Sequence, residues 1–380
     1  MKSNLKKIKL SYCISDINKS LAFEWIVEHL NHQKFELNFI LINCAKNSQI
    51  IKFLTQNNIE FISLDFSSKL DYIKLIFQVY KYLKNKKIQV IHCHLFKANL
   101  IGLTAAKLAG VQKIIYTRHH SDSNYKNSKK GVYLDKFLNA ISTQIVAISK
   151  PVEEILTQWE KVPQHKVVYI PHGFDLDYFT NYNIEILNCL QKNYNPKDQR
   201  PVIGVISRFT AYKGIQYIIP AFQKLLKLYP NALLMMFNAR GDYEKELNSL
   251  LQTLPSNNFV KIDFETNLSE IYRLFNVYVH VPDSYYSEAF GQTYIEALAS
   301  NVPSIFTLSG IAHETIEHQK NAFVVDYKNT DQIYTGLVEI LTNTELSQNL
   351  KANNSENKLE EFTIKKFINK LEILYSSKLK

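Results

Sequence analysis

Glycine is scarce in this chain, at 10 residues of 380. Few positions can therefore take a positive φ freely or bring bare backbone against a ligand, and side chains must carry most of any binding. Cysteine is scarcer still: Cys13, Cys44, Cys93 and Cys189 are scattered and show no C-x-x-C spacing. That pattern excludes a disulfide framework or a zinc ribbon and leaves reduced thiols. No run of about 18 apolar residues occurs, which excludes a membrane-spanning helix. The basic start, residues 1–13, has only a short apolar run and no small-residue cleavage site after it, so it reads as a first strand rather than a secretory signal. A cytoplasmic protein is expected, either free or peripheral on the inner face of the cytoplasmic membrane. Neither a low-complexity tract nor a repeat between the two halves is present.

What is there begins with size and charge. A chain of 380 residues exceeds what one hydrophobic core organises, so two domains are expected. The formal charge is +10, and all of the excess lies in the first half: residues 1–190 hold 25 Lys and Arg against 15 Asp and Glu, while residues 191–380 hold 20 of each. A basic half suits an anionic partner such as lipid, nucleic acid or a phosphorylated substrate, or simply a lysine-decorated surface. Nucleic acid is disfavoured, because no basic segment is interleaved with aromatics as a binding platform.

Short apolar runs alternate with helical patterns, which predicts βα units and mostly parallel sheets. Strands are expected at 8–12, 39–43, 61–64, 90–93, 113–116, 145–148 and 167–170, with helices such as 21–30, 72–83 and 99–108 between them. A polar stretch, 184–200, interrupted by Pro196 and Pro201, reads as a linker. A second series follows, with strands at 202–206, 232–237, 260–262, 277–281 and 303–307. Its helices are expected at 214–228 (kinked at Pro220), 242–251, 268–275 and 291–299. The expected domains are 1–190 and 200–360, with a last helix, 363–378, packing back on the first. Two doubly wound sheets joined in this way create a cleft, and ligands of such sheets bind beyond the carboxyl ends of the strands.

Four features fall at those strand ends. Arg208-x4-Lys213-Gly214 follows the strand 202–206; a rigid guanidinium fork with a mobile ammonium suits a diphosphate. Glu288 and Glu296, with seven residues between them, bracket Phe290-Gly291-Gln292-Thr293 at the entry to a helix, where free amides and the helix dipole favour phosphate oxygens. Ser309-Gly310-Ile311-Ala312-His313-Glu314 follows the strand 303–307. Ile170-Pro171-His172-Gly173-Phe174-Asp175 follows the strand 167–170, with Gly173 permitting a tight or positive-φ turn.

In this order, together with His92-Cys93-His94, Thr117-Arg118-His119 and Ala147-Ile148-Ser149, these motifs resemble the retaining, nucleotide-sugar-dependent family-4 glycosyltransferases of the GT-B fold (glycosyl transferases group 1). The resemblance covers nearly the whole chain. It implies an α/β protein of two Rossmann-like domains facing across a cleft, with the acceptor on the first domain and the nucleotide-sugar donor on the second. It also implies an EC 2.4 hexosyltransferase, in cell-surface polysaccharide, lipopolysaccharide or glycolipid synthesis. By matching positions, Arg208 and Lys213 hold the donor diphosphate, Glu288 lies against the donor sugar, and Glu296 binds the ribose hydroxyls. Phe290, Gly291, Gln292 and Thr293 line the donor site, and His119 reaches the transferred sugar. His94, His120, Asn18, Lys19 and Gly173 line the acceptor side. The sequence departs from the family in three places. The Gly-Gly turn after the first strand is absent from 15–20, the usual Asn-Gly is His172-Gly173, and the expected Gly-x-Gly is Asn238-Ala239-Arg240-Gly241.

Retention requires no strong base on the acceptor, since the departing phosphate can take the proton on the same face. Fixed cations, Arg208 and Lys213, can replace Mg2+ at the diphosphate, so no cofactor and no metal is expected. Asp175-Leu176-Asp177 spells D-x-D, a metal–diphosphate pattern elsewhere, but here it only continues the 170–175 loop. His92 and His94 alone fall short of a zinc ligand set. The expected partners are thus a nucleotide-diphosphate sugar and a glycan or lipid-linked acceptor. An anionic membrane surface is a further one, through the helix 71–87 and the lysines of 119–130. On that helix Ile73, Ile76, Val79, Tyr80 and Leu83 read as one apolar face. A sugar-nucleotide epimerase or a phosphorylase on the same fold, or a non-catalytic binding protein, are the alternatives.

Overall fold

The structure is a computed structural model and describes residues 6–68, 70–353 and 359–377. The chain divides into two compact units, Met1–Phe174 with Phe362–Lys380, and Asp175–Glu361. The first unit holds seven parallel strands: β1 (Ile8–Ser15), β2 (Phe35–Ile42), β3 (Glu60–Leu64), β4 (Val90–His94), β5 (Lys113–Arg118), β6 (Gln144–Ala147) and β7 (Val167–Tyr169). Their order across the sheet is β3-β2-β1-β4-β5-β6-β7. The second unit holds β8 (Val202–Ile206), β9 (Leu233–Phe237), β10 (Phe259–Ile262), β11 (Val277–His280), β12 (Ser304–Phe306) and β13 (Phe323–Val324), in the order β10-β9-β8-β11-β12-β13. Both are doubly wound sheets whose order reverses beside the first strand, and there the carboxyl ends open a ligand crevice.

The strands form where the sequence is apolar without alternation, because helices cover both faces of a parallel sheet. β8 and β9 are buried along their whole length. β2 starts four residues before its expected start: Phe35, Leu37 and Phe39 are buried and pair in register with Ile8, Leu10 and Tyr12. β13 has no counterpart in the sequence reading, being only two residues long.

The stretch 184–200 is not a linker. Ile184–Tyr194 is a helix, capped by Asn183, whose side-chain oxygen accepts from the amides of Glu185 and Ile186. Only Leu190 of this helix is buried, which is why its composition looks like that of a loop. The chain passes between units at Phe174–Asp175 and again at Glu361–Phe362, not at 190–200.

The C-terminal helix Ile364–Ser376 belongs to the first unit. Its entry pairs with the 170–175 loop: the amide of Phe174 donates to the carbonyl of Phe362 at 2.7 Å, and Ile364 N–H returns to Phe174 at 2.8 Å. Its last turn receives the Lys113 ammonium, which donates to the carbonyls of Leu374 and Ser377. A cation there neutralises the negative end of the helix dipole and satisfies orphan carbonyls. Gly173 does not supply a positive φ. A β-carbon there would lie 2.3 Å from Cβ of Phe367, so this glycine makes room for the helix instead.

The helix Asp71–Lys86 buries Leu75, Val79 and Leu83, spaced four apart. Ile73 therefore does not share a face with Val79 and Leu83. Two residues from Leu75 at 100° each, it is carried nearly to the opposite side, where it is 81% exposed.

Candidate active site

In the second unit, chemistry gathers where β8, β11 and β12 end. Past β8, Arg208 is exposed and donates from Nη2 to the Tyr212 hydroxyl at 3.1 Å. Lys213 closes a short turn and is followed by Gly214 at φ +76°. A β-carbon on Gly214 would stand 1.9 Å from the carbonyl oxygen of Val281. Only glycine lets this turn lie against the end of β11, and that approach delivers Lys213 to Glu288.

Glu288 is buried, and two groups converge on its Oε1: Lys213 Nζ at 2.5 Å and His280 Nε2 at 3.0 Å. Its amide donates to Ser309 Oγ at 2.9 Å. Behind it, Gly310 has φ +57°, and a β-carbon there would meet Cβ of Glu288 at 2.9 Å and the Phe290 carbonyl at 2.5 Å. Burial alone would raise the Glu288 pKa, but the Lys213 charge and the His280 hydrogen bond outweigh it and bring it down to about 2. Glu288 is thus a fixed anion. Burial lowers the pKa of His280, with Glu288 pulling the other way. His280 is a site residue the sequence reading missed; its signal was a histidine at the end of an expected strand.

Phe290 is buried and its carbonyl accepts from Ile311 at 2.9 Å. Gly291, at φ +84°, starts the helix Gln292–Ala299 with no side-chain cap. Gln292 is exposed and Thr293 half-buried beside it, while Glu314 is exposed. Glu296 lies inside the helix, buried, and accepts from the Tyr272 hydroxyl at 2.9 Å. Burial raises its pKa to about 7, with only the Tyr272 bond opposing. The two carboxylates are therefore unlike: one has a cation, the other only a phenol. Tyr278 stands between them, stacked 6.4 Å from His280 and edge-on to Tyr272 at 5.4 Å. Burial, and after it the charges of Glu296 and Glu288, raise its pKa.

The first unit gathers histidines at the ends of β4, β5 and β7. His94 Nδ1 lies 3.0 Å from His119 Nε2, and the buried His94 Nε2 has no hydrogen-bond partner among the described residues. His119 is half-buried and stacks on His172 at 5.5 Å. His92 is fully engaged, with Tyr375 Oη at 2.7 Å and Thr117 Oγ1 at 2.8 Å. His120 turns away from these rings: its Nε2 is 3.0 Å from Asp135, within a buried network of Arg118, Asp135 and Glu160. Asn18 and Lys19 are exposed, and Asn18 receives the first amides of the helix Gln49–Gln56 on its side-chain and backbone oxygens.

Where glycines are missing, short polar residues adopt the left-handed conformation that Asp and Asn tolerate best. Asp16 has φ +57° and is held by Lys97 Nζ at 2.7 Å. Asn238 has φ +58° in the Asn238–Gly241 turn. Asp175 and Asp177 begin the short helix Leu176–Thr180. Among the described residues no group of three or more His, Cys, Asp or Glu side chains is placed to hold a metal ion, and no helix is long and apolar enough to cross a membrane.

Two family descriptions follow one another along the chain: Glycosyltransferase Family 4 matches residues 31–178, and Glycosyl transferases group 1 matches residues 190–357, which contain Arg208, Lys213, Glu288 and Glu296. The chain belongs to the group 1 glycosyltransferases. This glycosyltransferase is 23% identical to the UDP-Gal:alpha-D-GlcNAc-diphosphoundecaprenol alpha-1,3-galactosyltransferase of Escherichia coli, over 99% of this chain and 98% of that one. It is 23% identical to the alpha-monoglucosyldiacylglycerol synthase of Acholeplasma laidlawii, over 74% of each. Among solved structures, Anabaena HepE in complex with UDP and glucose superposes with a TM-score of 0.82 at 17% identity, covering 97% of this chain and all of that one. The fold is GT-B, and the activity is that of an EC 2.4 transferase.

The unlike carboxylates give a prediction for this glycosyltransferase. A carboxyl group whose pKa rises from 4.5 unfolded to about 7 folded loses stability as pH climbs through that interval. Glu296→Gln keeps an acceptor for Tyr272 and removes the buried charge. It is expected to stabilise the protein by about 3 kcal/mol above pH 7 and to change little near pH 4.5. Urea unfolding at the two pH values checks this; an equal effect at both contradicts the assignment.

Proposed function

We propose that this glycosyltransferase moves a sugar from a nucleotide-diphosphate donor to a lipid-linked or glycan acceptor, retaining the anomeric configuration and using no metal ion, in cell-surface polysaccharide or glycolipid synthesis. The observation that carries this reading is the buried Glu288 carboxylate, with Lys213 and His280 on one of its oxygens, at the entry to the helix Gln292–Ala299. In the reaction the bond from the anomeric carbon to the diphosphate oxygen breaks, and its electron pair leaves with the diphosphate. The acceptor oxygen bonds to that carbon, and its proton passes to the departing phosphate on the same face.

Negative charge grows on the leaving group and positive character on the sugar. Arg208, exposed beside Tyr212, and Lys213 are assigned to offset the first, together with the uncapped start of the helix Gln292–Ala299. Glu288, already ionised, orients the sugar and faces its developing charge. Glu296 is assigned to the ribose hydroxyls: a carboxyl that is costly to ionise where it stands gains most from accepting two hydroxyl hydrogen bonds. Acceptor handling is assigned to the first unit and its His94–His119 pair. The lipid-linked acceptor follows the E. coli and A. laidlawii relatives, whose names carry a diphosphoundecaprenol and a diacylglycerol.

A thermal-shift panel of UDP-, GDP- and ADP-sugars tests donor binding, since a ligand of the folded state raises its melting temperature. NMR of the glycoside formed with the best donor, with and without EDTA, tests the rest. The expected outcome is one responsive nucleotide class and a product with the donor's anomeric configuration, formed equally well in EDTA. An inverted product, loss of turnover in EDTA, or hydrolysis and epimerisation without transfer would each overturn the corresponding part.

A further inference from the structure

The first unit presents large apolar side chains to solvent in a regular arrangement. On the helix Asp71–Lys86, with Leu70 just before it, the side opposite the buried Leu75, Val79 and Leu83 carries Leu70 (88% exposed), Ile73 (81%) and Phe77 (54%). Lys74, Lys81 and Lys84 flank them on the same side, and the Lys81 ammonium sits 4.4 Å over the Phe77 ring. On the helix Lys129–Ile141 the pattern returns. Tyr133 (74% exposed) and Phe137 (45%) stand one turn apart, with Lys129, Lys130 and Lys136 around them.

The two helices share a layer. The steps from β3 to β4, β4 to β5 and β5 to β6 all move the same way across the sheet, so right-handed crossovers put their helices on one face. Asp71–Lys86 packs on the segment 99–109, which in turn contacts Lys129–Ile141. Because each helix runs back against the strands, Leu70, Ile73 and Lys129 lie toward the carboxyl ends of the strands. His94 and His119 stand at that same end. The apolar stripes thus begin toward the same end of the sheet as these histidines.

Charge selects the occupant. On Asp71–Lys86, Thr104–Ala109 and Lys129–Ile141 every exposed charged side chain is a lysine. The acids of these helices are otherwise engaged: Asp135 is buried against Arg118, and Asp71 accepts the amides of Ser67 and Ser68. A protein interface of this size would be expected to hold a contiguous apolar centre with charge at its rim. Here lysines interrupt the apolar side chains at nearly every turn, which is the pattern of a helix lying in a headgroup layer. We propose that this helix layer is a docking surface for an anionic lipid bilayer, with Leu70, Ile73, Phe77, Tyr133 and Phe137 entering the acyl boundary and the lysines meeting lipid phosphates. It rests on the transferase reading only for its purpose, the capture of a lipid-linked acceptor at the membrane.

Co-sedimentation of the full chain with vesicles of phosphatidylcholine, alone or with about one-third phosphatidylglycerol, tests the surface. Binding is expected only to the anionic vesicles, weakened but not abolished by salt. It should fall by about tenfold or more in Ile73→Asp/Phe77→Asp and, independently, in the surface-neutral Lys74→Gln/Lys81→Gln. No binding at low salt, equal binding to phosphatidylcholine alone, or unchanged binding in both double variants would overturn the proposal. So would a concentration-dependent dimer in light scattering that Ile73→Asp/Phe77→Asp dissolves, since that assigns the face to a second copy. The nucleotide-sugar thermal shift, measured without vesicles, separates the two readings. A protein that shifts but does not sediment keeps its transferase function and loses this surface; one that sediments without a shift does the reverse.

Discussion

Glu288→Gln is expected to lower turnover by on the order of a thousandfold, with a smaller rise in the KM for the donor. The substitution keeps size and hydrogen-bonding shape and removes only the charge. What that charge holds is visible in the geometry: Lys213 and His280 meet on one oxygen of a carboxylate whose pKa sits at about 2. With Gln in place, Lys213 keeps its own charge, loses its partner and has a side chain only 15% exposed, so its position relaxes. A cation aimed at a leaving group is worth most when it is fixed before the reaction begins, and an ångström of drift costs about a hundredfold. Breaking a largely buried pair also costs about 3 kcal/mol of stability. Unfolding must therefore be measured beside the kinetics, at a temperature where the variant is folded. Near-normal turnover with intact donor binding in Glu288→Gln would remove Glu288 from the mechanism. A purely structural role would lower the melting temperature and leave kcat of the folded fraction unchanged.

Glu288 and Glu296 were legible in the sequence because both lie close to one helix start, and local spacing survives folding. Their difference was not. It arises from Lys213 and His280, 75 and 8 residues from Glu288, against a lone Tyr272, 24 residues from Glu296. The strands were legible for a similar reason: buried parallel strands are continuous apolar runs, as in β8 and β9. The helix Ile184–Tyr194 was missed because a helix with one buried residue has almost no periodic signal. The face of Asp71–Lys86 was misassigned because it is apolar on both sides, and periodicity does not say which side the sheet covers. His120 belongs to an ion network with Asp135 and Glu160, contacts made across 15 to 42 residues that no spacing rule anticipates. The missing glycines misled in one respect only. Asp16 and Asn238 occupy left-handed conformations, so turns remain where glycine was expected.

The histidines of the first unit are expected to make the fold acid-sensitive well above the pH at which most carboxylates titrate. Burial lowers the pKa of His92 to about 3 and of His172 to about 4, from an ordinary 6.5. Burial, then the neighbouring histidines, hold His94 and His119 well below their ordinary value. A base with a depressed folded pKa stays neutral in the fold while the unfolded chain takes up its proton. Its stability contribution is complete above pH 6.5 and lost as pH falls toward the folded pKa, at about 1.4 kcal/mol per pH unit for each ring. His92 and His172 together reach at most about 3 kcal/mol per unit, with His94 and His119 adding in the same direction, against a total stability typically of about 5–15 kcal/mol. Glu296 opposes this between pH 4.5 and 7, but with one proton against four. The geometry explains why the protons are refused. His92 is bonded at both nitrogens, the His94–His119 contact needs one bare nitrogen, and His119 stacks on His172, so a second charge there would meet the first. Urea unfolding at half-unit steps from pH 7.5 to 5 should therefore show stability falling as pH drops below 6.5. His172→Asn, which restores the residue usual in the family, should make the profile shallower and leave stability above pH 7 little changed. A flat profile between pH 7 and 5 would mean that water or motion admits protons to the cluster.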